Sequence, residues 1–264
     1  MEVEGRVCVV SVSGVIGAGK STLLKRLQRT GALQTALGNE ALVRIVREPV
    51  KEWRECGWLS AFYANPSLNA AAFQLLAVDS RIRAMKLAIE DARRTRVDPQ
   101  QTIVLLSERC KYDDRLFWEQ QRADGCITAA PDLYNEMYVR TWQRWSESVP
   151  ETSLIFFLHT SDIQQTMRRM QVRQRAEEMS ASSSSEDAAG IEEVGGVTID
   201  YQKQLLARHF EWFDEPRAHP MGAPDPCGIP CIHINGDVPF HECDGTLDAV
   251  AALMATHIQT HVLK

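Results

Sequence analysis

The chain has 264 residues, 44% of them hydrophobic, enough to bury one substantial core and to suggest a single domain spanning 1–264. A formal net charge of −6 counts against a nucleic-acid partner, which would favour a basic face, so any phosphate site should be local. No apolar run approaches the roughly 18 residues needed to span a bilayer, and the opening MEVEGR is acidic rather than a cationic leader. The seven cysteines lack regular spacing and fit reduced thiols, so no membrane partner and a cytoplasmic setting are expected.

In chain order, RVCVVSVS (6–13) reads as a strand, and it runs directly into SGVIGAGKST (13–22) and the helix-patterned KSTLLKRLQRT. Gly14 to Ser21 match G-x-x-x-x-G-K-S in the strand-then-helix context that the motif requires. Small residues let successive backbone N–H groups point at phosphate oxygens, and the following helix adds the positive end of its dipole. The run Gly14, Val15, Ile16, Gly17, Ala18, Gly19, Lys20, Ser21 and Thr22 is therefore read as holding ATP or another nucleoside triphosphate. Lys20 supplies charge at the β- and γ-phosphates, and the Ser21 hydroxyl can ligate Mg²⁺. What attacks the phosphate is still open at this point.

The next strand-like run, ALVRIVRE (41–48), ends on Glu48, before Pro49. Asn65-Pro66 predicts a capped start to a long helix reaching about Arg94, because proline at the first helical position loses no hydrogen bond. On that helix Gln74, Ala77 and Arg81 share one stripe, and an amide such as Gln74 can both donate to and accept from a base edge. TIVLLSE (102–108) then ends on Glu108, followed by Arg109. Ligands of open α/β sheets gather at the carboxyl ends of strands, so both glutamates should face the phosphate loop. One could hold Mg²⁺ while the other accepts a proton from an attacking hydroxyl, with Arg109 orienting oxygens between them.

Trp142 and Trp145 lie in an apolar-patterned helix and read as core or subunit interface. SLIFFLHT (153–160) and CIHIN (231–235) complete five strands, whose alternation with helices predicts a parallel sheet flanked by helices. Between them, RRMQVRQRAEE (168–178) concentrates arginines, whose planar guanidiniums suit phosphate oxygens. Two stretches, 180–196 and 215–230, are too rich in Ser, Gly or Pro for regular elements; the first reads as a surface insertion. Cys227, Cys231, His233, His241 and Cys243 do not have the spacing of a standard zinc site.

Together these residues resemble the deoxyribonucleoside kinases, which include deoxycytidine, deoxyguanosine and insect multisubstrate enzymes. The phosphate loop is similar to the family's G-N-I-G-A-G-K-S, with Val15 in place of Asn. Glu48-Pro49-Val50 and Trp53 resemble E-P-V-x-x-W, which implies that Glu48 is the general base toward a 5′-hydroxyl. Glu108-Arg109 resembles E-R-S, with Cys110 where serine is usual; it implies Glu108 on Mg²⁺ and Arg109 near the 5′-oxygen.

The same resemblance implies an acceptor pocket of Phe62, Tyr63, Gln74, Ala77, Arg81 and Asp114, with Trp118 as a base-stacking wall that narrows the slot. An ionised Asp114 paired with Arg81 accepts but cannot donate, so deoxycytidine and purine deoxynucleosides are expected over thymidine. The family's arginine-rich lid corresponds to about 168–196, with Arg169, Arg173 and Arg175 on phosphate and Glu178 joining Tyr63 at the sugar 3′-hydroxyl. The Ser-rich insertion lies outside the family's pattern. Asn235, Gly236 and Asp237 match a loop at the donor base, and a homodimer packed through helices is implied. The expected fold is thus an α/β P-loop kinase. A nucleoside monophosphate kinase fits less well, since an Asp-Arg pair is expected there, and a non-catalytic subunit has no chemical need for Lys20, Ser21, Glu48, Glu108 and Arg109 together.

Overall fold

Near-continuous apolar runs make the three central strands of the five predicted, which helices bury on both faces, whereas the edge strands ALVRIV and CIHIN are only partly buried. The computed structural model describes residues 5–128, 130–173, 193–194, 197–214, 228–239 and 243–264. The chain runs β1 (Val7–Ser13), α1 (Lys20–Thr30), α2 (Ala32–Leu37), β2 (Ala41–Val46), α3 (Val50–Glu55), α4 (Trp58–Ala64) and α5 (Pro66–Thr95). It continues with β3 (Thr102–Glu108), α6 (Lys111–Ala123), α7 (Pro131–Ser148), β4 (Thr152–His159) and α8 (Ile163–Arg173). After the short β5 (Glu193–Val194) and β6 (Val197–Thr198) come α9 (Ile199–Asp214), β7 (Cys231–Asn235) and α10 (Asp244–His261). The main sheet is parallel throughout, in the order β2-β3-β1-β4-β7.

Alternate residues of the central strands feed two apolar layers. Val10, Val12, Val104, Leu106, Phe156 and Leu158 join α1, α2 and α10 on one face. Val9, Ile103, Leu105, Ile155 and Phe157 join α5, α6, α7 and α9 on the other, where Trp142 and Trp145 are also buried. The long helix starts as its sequence predicts: Asn65 Oδ1 accepts from Leu68 N at 3.1 Å, and Pro66 occupies the first turn.

The two sides of the sheet diverge at β1, which lies between β3 and β4, so a crevice opens beyond its carboxyl end. The loop from Gly14 fills that crevice. At Gly14 (φ +144°) a Cβ would lie 2.3 Å from Leu158 O, and at Gly17 (φ +81°) one would lie 2.4 Å from Thr166 O. Glycine is therefore required at both positions by backbone angle and by space.

One buried polar network ties the crevice together. Asp113, wholly buried at the start of α6, accepts from Ser13 Oγ at 2.6 Å and Cys110 N at 2.9 Å and faces His209 Nε2 of α9 at 3.3 Å. Burial alone would raise this carboxyl, but the His209 contact, the Arg109 charge and the Ser13 bond outweigh it and hold it at about 2. A depressed folded-state value means stability that is present above the unfolded value near 3.9 and lost as pH falls toward 2. Acid unfolding followed by circular dichroism should accordingly show a stability loss between about pH 4 and 2 that is smaller in Asp113→Asn, which is less stable than the parent at neutral pH.

Candidate active site

The carboxyl ends of β1, β2 and β3 bring three chemically distinct pieces into one crevice of about 800 Å³, closed by α3, α4, α5, α6, α8 and α9. Its walls carry the loop residues Ile16, Gly17, Gly19, Lys20, Ser21 and Thr22. They also carry Glu48, Glu108 and Arg109 from the strand ends, and Trp53, Phe62, Tyr63, Gln74, Ala77, Arg81 and Asp114 from the helices. Arg169 and Asp237 line the far side.

Lys20 is buried and donates to Gly14 O and Val15 O, each at 2.8 Å. Burial and the nearby Arg109 charge push its ammonium down to about 7, so an anion in the loop would be strongly favoured beside it. Ser21 Oγ donates to Glu108 Oε1 at 2.5 Å. A hydroxyl and a carboxylate meeting next to a phosphate cradle form a hard-oxygen set suited to Mg²⁺. Arg109 adopts φ +65°, uncommon for a side-chain-bearing residue, and is held by its N–H on Val12 O at 3.0 Å and by Ser107 Oγ on its own carbonyl at 2.9 Å. That turn directs its guanidinium onto Glu48 Oε1 at 2.5 Å and over the Phe117 ring at 4.7 Å.

Glu48 thus sits between two cations, since Arg81 Nη2 reaches the same Oε1 at 2.5 Å. Burial opposes ionisation, but Arg109 and Arg81 outweigh it and hold the carboxyl well below the usual range. The other arm of the Arg81 fork, Nη1, pairs with Asp114 Oδ1. Burial raises Asp114 to about 7 against the pull of Arg81, with Asp113 and Glu48 adding to the rise. Asp114 Oδ2 is buried without a hydrogen-bond partner, an acceptor awaiting a donor. Around Arg81 the walls are aromatic: its guanidinium lies 5.2 Å from the Trp53 ring, Trp53 meets Phe73 edge-on at 5.5 Å, and Phe62 stacks on Phe73 at 4.9 Å. Such a slot suits a flat ring.

The expectation for Trp118 is overturned. Its side chain is 0% exposed and stacks on Tyr138 at 4.2 Å, away from the crevice. The wall of α6 is formed instead by Asp114, Phe117, Gln121 and, just past the helix, Asp124, spaced i, i+3, i+7 and i+10. Trp118, at i+4, falls on the other side of that stripe, where α7 covers it. Val15 and Ala18 turn their side chains into the core, leaving only backbone for a ligand. Gly14 and Gly236 lie behind the wall, and Asn235 Oδ1 accepts from Asp237 N at 2.8 Å. The side chain of Arg173, and Arg175 and Glu178, lie outside what the structure describes, as do residues 180–192 and 195–196 of the insertion and Cys227 and His241; Glu193–Val194, expected to be irregular, instead pair as a short strand with Val197–Thr198. Arg169 donates to Ala18 O at 3.1 Å and Gly236 O at 2.8 Å, linking α8, the glycine-rich loop and the turn after β7.

Several wall residues escape a reading of the sequence. Phe117 and Gln121 were accessible in principle through helical phase from Asp114. Tyr201, Val197, Gln165 and Cys126 reach the crevice only because distant segments fold against it. Tyr201 receives a 3.4 Å contact from Gln121 Nε2, and burial raises its phenol above the ordinary value.

Comparison with known proteins gives the family. Residues 10–185 match the family model described as deoxynucleoside kinase. The chain is 27% identical over 236 residues to a probable deoxycytidine kinase of fowlpox virus, covering 88% of this chain and 80% of that protein. It is 27% identical over 212 residues to a deoxyguanosine kinase of Lactobacillus johnsonii (78% and 77% covered) and 26% identical over 236 residues to deoxycytidine kinase 2 of Gallus gallus (80% and 76%). With the phosphate loop, the paired strand-end carboxylates and the aromatic slot in one crevice, the chain belongs to the deoxynucleoside kinase family and is an enzyme that takes a nucleoside acceptor and an ATP-type phosphate donor.

Proposed function

We propose that this enzyme, acting as a single kinase domain, transfers the γ-phosphoryl group of ATP or another nucleoside triphosphate to the 5′-hydroxyl of a deoxynucleoside. Deoxycytidine or purine deoxynucleosides are favoured over thymidine. The observation that carries the base preference is the unpartnered Oδ2 of Asp114. An exocyclic amino group of cytosine or adenine supplies the missing donor and stabilises the charged carboxylate, whereas the carbonyl of thymine sets acceptor against acceptor. Gln74, 5% exposed on the same wall, reads the neighbouring base edge, with Ala77 leaving room beside it. Phe117 and the Trp53–Phe62–Phe73 cluster sandwich the ring.

Glu48 accepts the 5′-hydroxyl proton as the phosphoryl group departs, and Arg109 orients the same oxygen. Phosphoryl transfer has a loose transition state, so a weakly basic but well-placed carboxylate is adequate and the protein mainly positions and neutralises. Ser21 and Glu108 would hold Mg²⁺, which when bound neutralises charge on the donor phosphates. Lys20 and Arg169, with Arg173 and Arg175, serve the phosphate oxygens; Tyr63 and Glu178 hold the 3′-hydroxyl, and Asp237 borders the donor base, with Asn235 and Gly236 behind it. The irregularly spaced cysteines suit a reducing cytoplasm. Among the described residues, no helix is long and apolar enough to cross a membrane.

Three outcomes test this reading. Initial rates of ADP release should favour deoxycytidine over thymidine by about 10²-fold in kcat/KM, and a preference for thymidine would overturn the roles of Arg81 and Asp114. Glu48→Gln should lower kcat by about 10² to 10⁴ while the ADP dissociation constant changes little; full activity would remove Glu48 from the chemistry. The mutually packed α5 and α7 expose Leu87, Leu133 and Met137, which supports a homodimer through this face. Light scattering after size exclusion should report two copies for the parent and one for Leu133→Glu/Met137→Glu.

A further inference from the structure

The phosphate loop presents its N–H groups inward, so its carbonyls must find donors behind it. Lys20 Nζ serves Gly14 O and Val15 O, each at 2.8 Å, and Arg109 Nη2 approaches Gly14 O at 3.4 Å. Arg169 Nη1 serves Ala18 O at 3.1 Å. All three cations line the crevice, where a bound triphosphate competes for them. Ile16 O is held differently. Its donor is Gln202 Nε2, at 2.6 Å, from the side chain of α9, which is 0% exposed and lies behind the crevice wall.

Gln202 is neutral and does not face the ligand, so phosphate does not draw it away. In a trans peptide the carbonyl and the following N–H point in opposite directions. A grip on Ile16 O therefore fixes the direction of Gly17 N–H. The same amide lies 3.3 Å from Thr166 Oγ1 and 3.5 Å from Met170 Sδ, both on the lid helix α8. Gly17 itself presses on Thr166 O, where a Cβ would lie at 2.4 Å. Gln202 Oε1 is buried without a hydrogen-bond partner, so the side chain is a poor filler of apolar space. What it contributes is the N–H on the loop.

We propose that Gln202 is a positioning residue for the donor: from behind the phosphate loop it sets the Ile16–Gly17 peptide so that Gly17 N–H faces the phosphates, and it ties that peptide to the root of the lid. This rests on the kinase reading, for which phosphorylation by the parent enzyme is the separate control. The test uses the full-length enzyme and the deoxynucleoside that the parent phosphorylates best. Gln202→Met keeps length and removes the donor; Gln202→Glu keeps shape and sets an oxygen against Ile16 O. In both, the ADP dissociation constant and the KM for ATP should rise by about tenfold, and more in the Glu variant. The acceptor KM should stay within about twofold and the unfolding midpoint close to the parent's. If Gln202→Met does not fold, the Glu variant carries the same comparison. Unchanged ADP affinity, or a loss of donor and acceptor affinity in step with a lowered unfolding midpoint, overturns the proposal.

Discussion

A buried carboxylate held between two guanidiniums is the constraint around which this crevice is built. Glu48, Arg81, Arg109 and Asp114 are all at least nine-tenths buried, and each alone would carry a desolvation cost of several kcal/mol. They coexist because they alternate in sign and touch one another. Loss of one member leaves an uncompensated buried charge, worth about 3–5 kcal/mol. Four segments supply the four groups: the turn after β2, the middle of α5, the strained residue after β3 and the first turns of α6. The network exists only when β2 and β3 are paired and α5 and α6 are packed beside them.

That dependence gives the two arms of Arg81 a combined meaning. A planar fork that meets Asp114 on one side and Glu48 on the other gives the two carboxylates a common reference point. Lysine, a single point charge on a flexible stem, has no equivalent geometry. On the donor side the organising constraint is backbone polarity. A loop that turns its N–H groups toward phosphate must have its carbonyls satisfied from outside, and Lys20, Arg109, Arg169 and Gln202 divide that work.

The parts legible in the sequence are those whose chemistry is local. The glycines at 14, 17 and 19, followed by Lys20 and Ser21, state the loop because angle, space and charge are set within a few residues. The Asn65-Pro66 start and the Gln74, Ala77, Arg81 stripe follow from capping and helical phase, and that stripe does face the crevice. Phase also explains the error on α6. Phe117 and Trp118 are adjacent, large and aromatic, and which one faces the slot is decided by about 100° of helix rotation, together with Tyr138 of α7 as the alternative partner.

By itself the sequence determined five strands alternating with helices, a glycine-rich loop ending in Lys20 and Ser21, two strand-end acids and an arginine-rich helix, since each rests on periodicity or on contiguous residues. Only the tertiary structure decided the strand order that opens the crevice beyond β1, the sharing of Glu48 by Arg81 and Arg109, the unpartnered oxygen of Asp114 and the reach of Gln202 to Ile16. These join residues from about 30 to nearly 190 positions apart. Contacts at such separation are set by how helices pack on the sheet, and no local pattern encodes them.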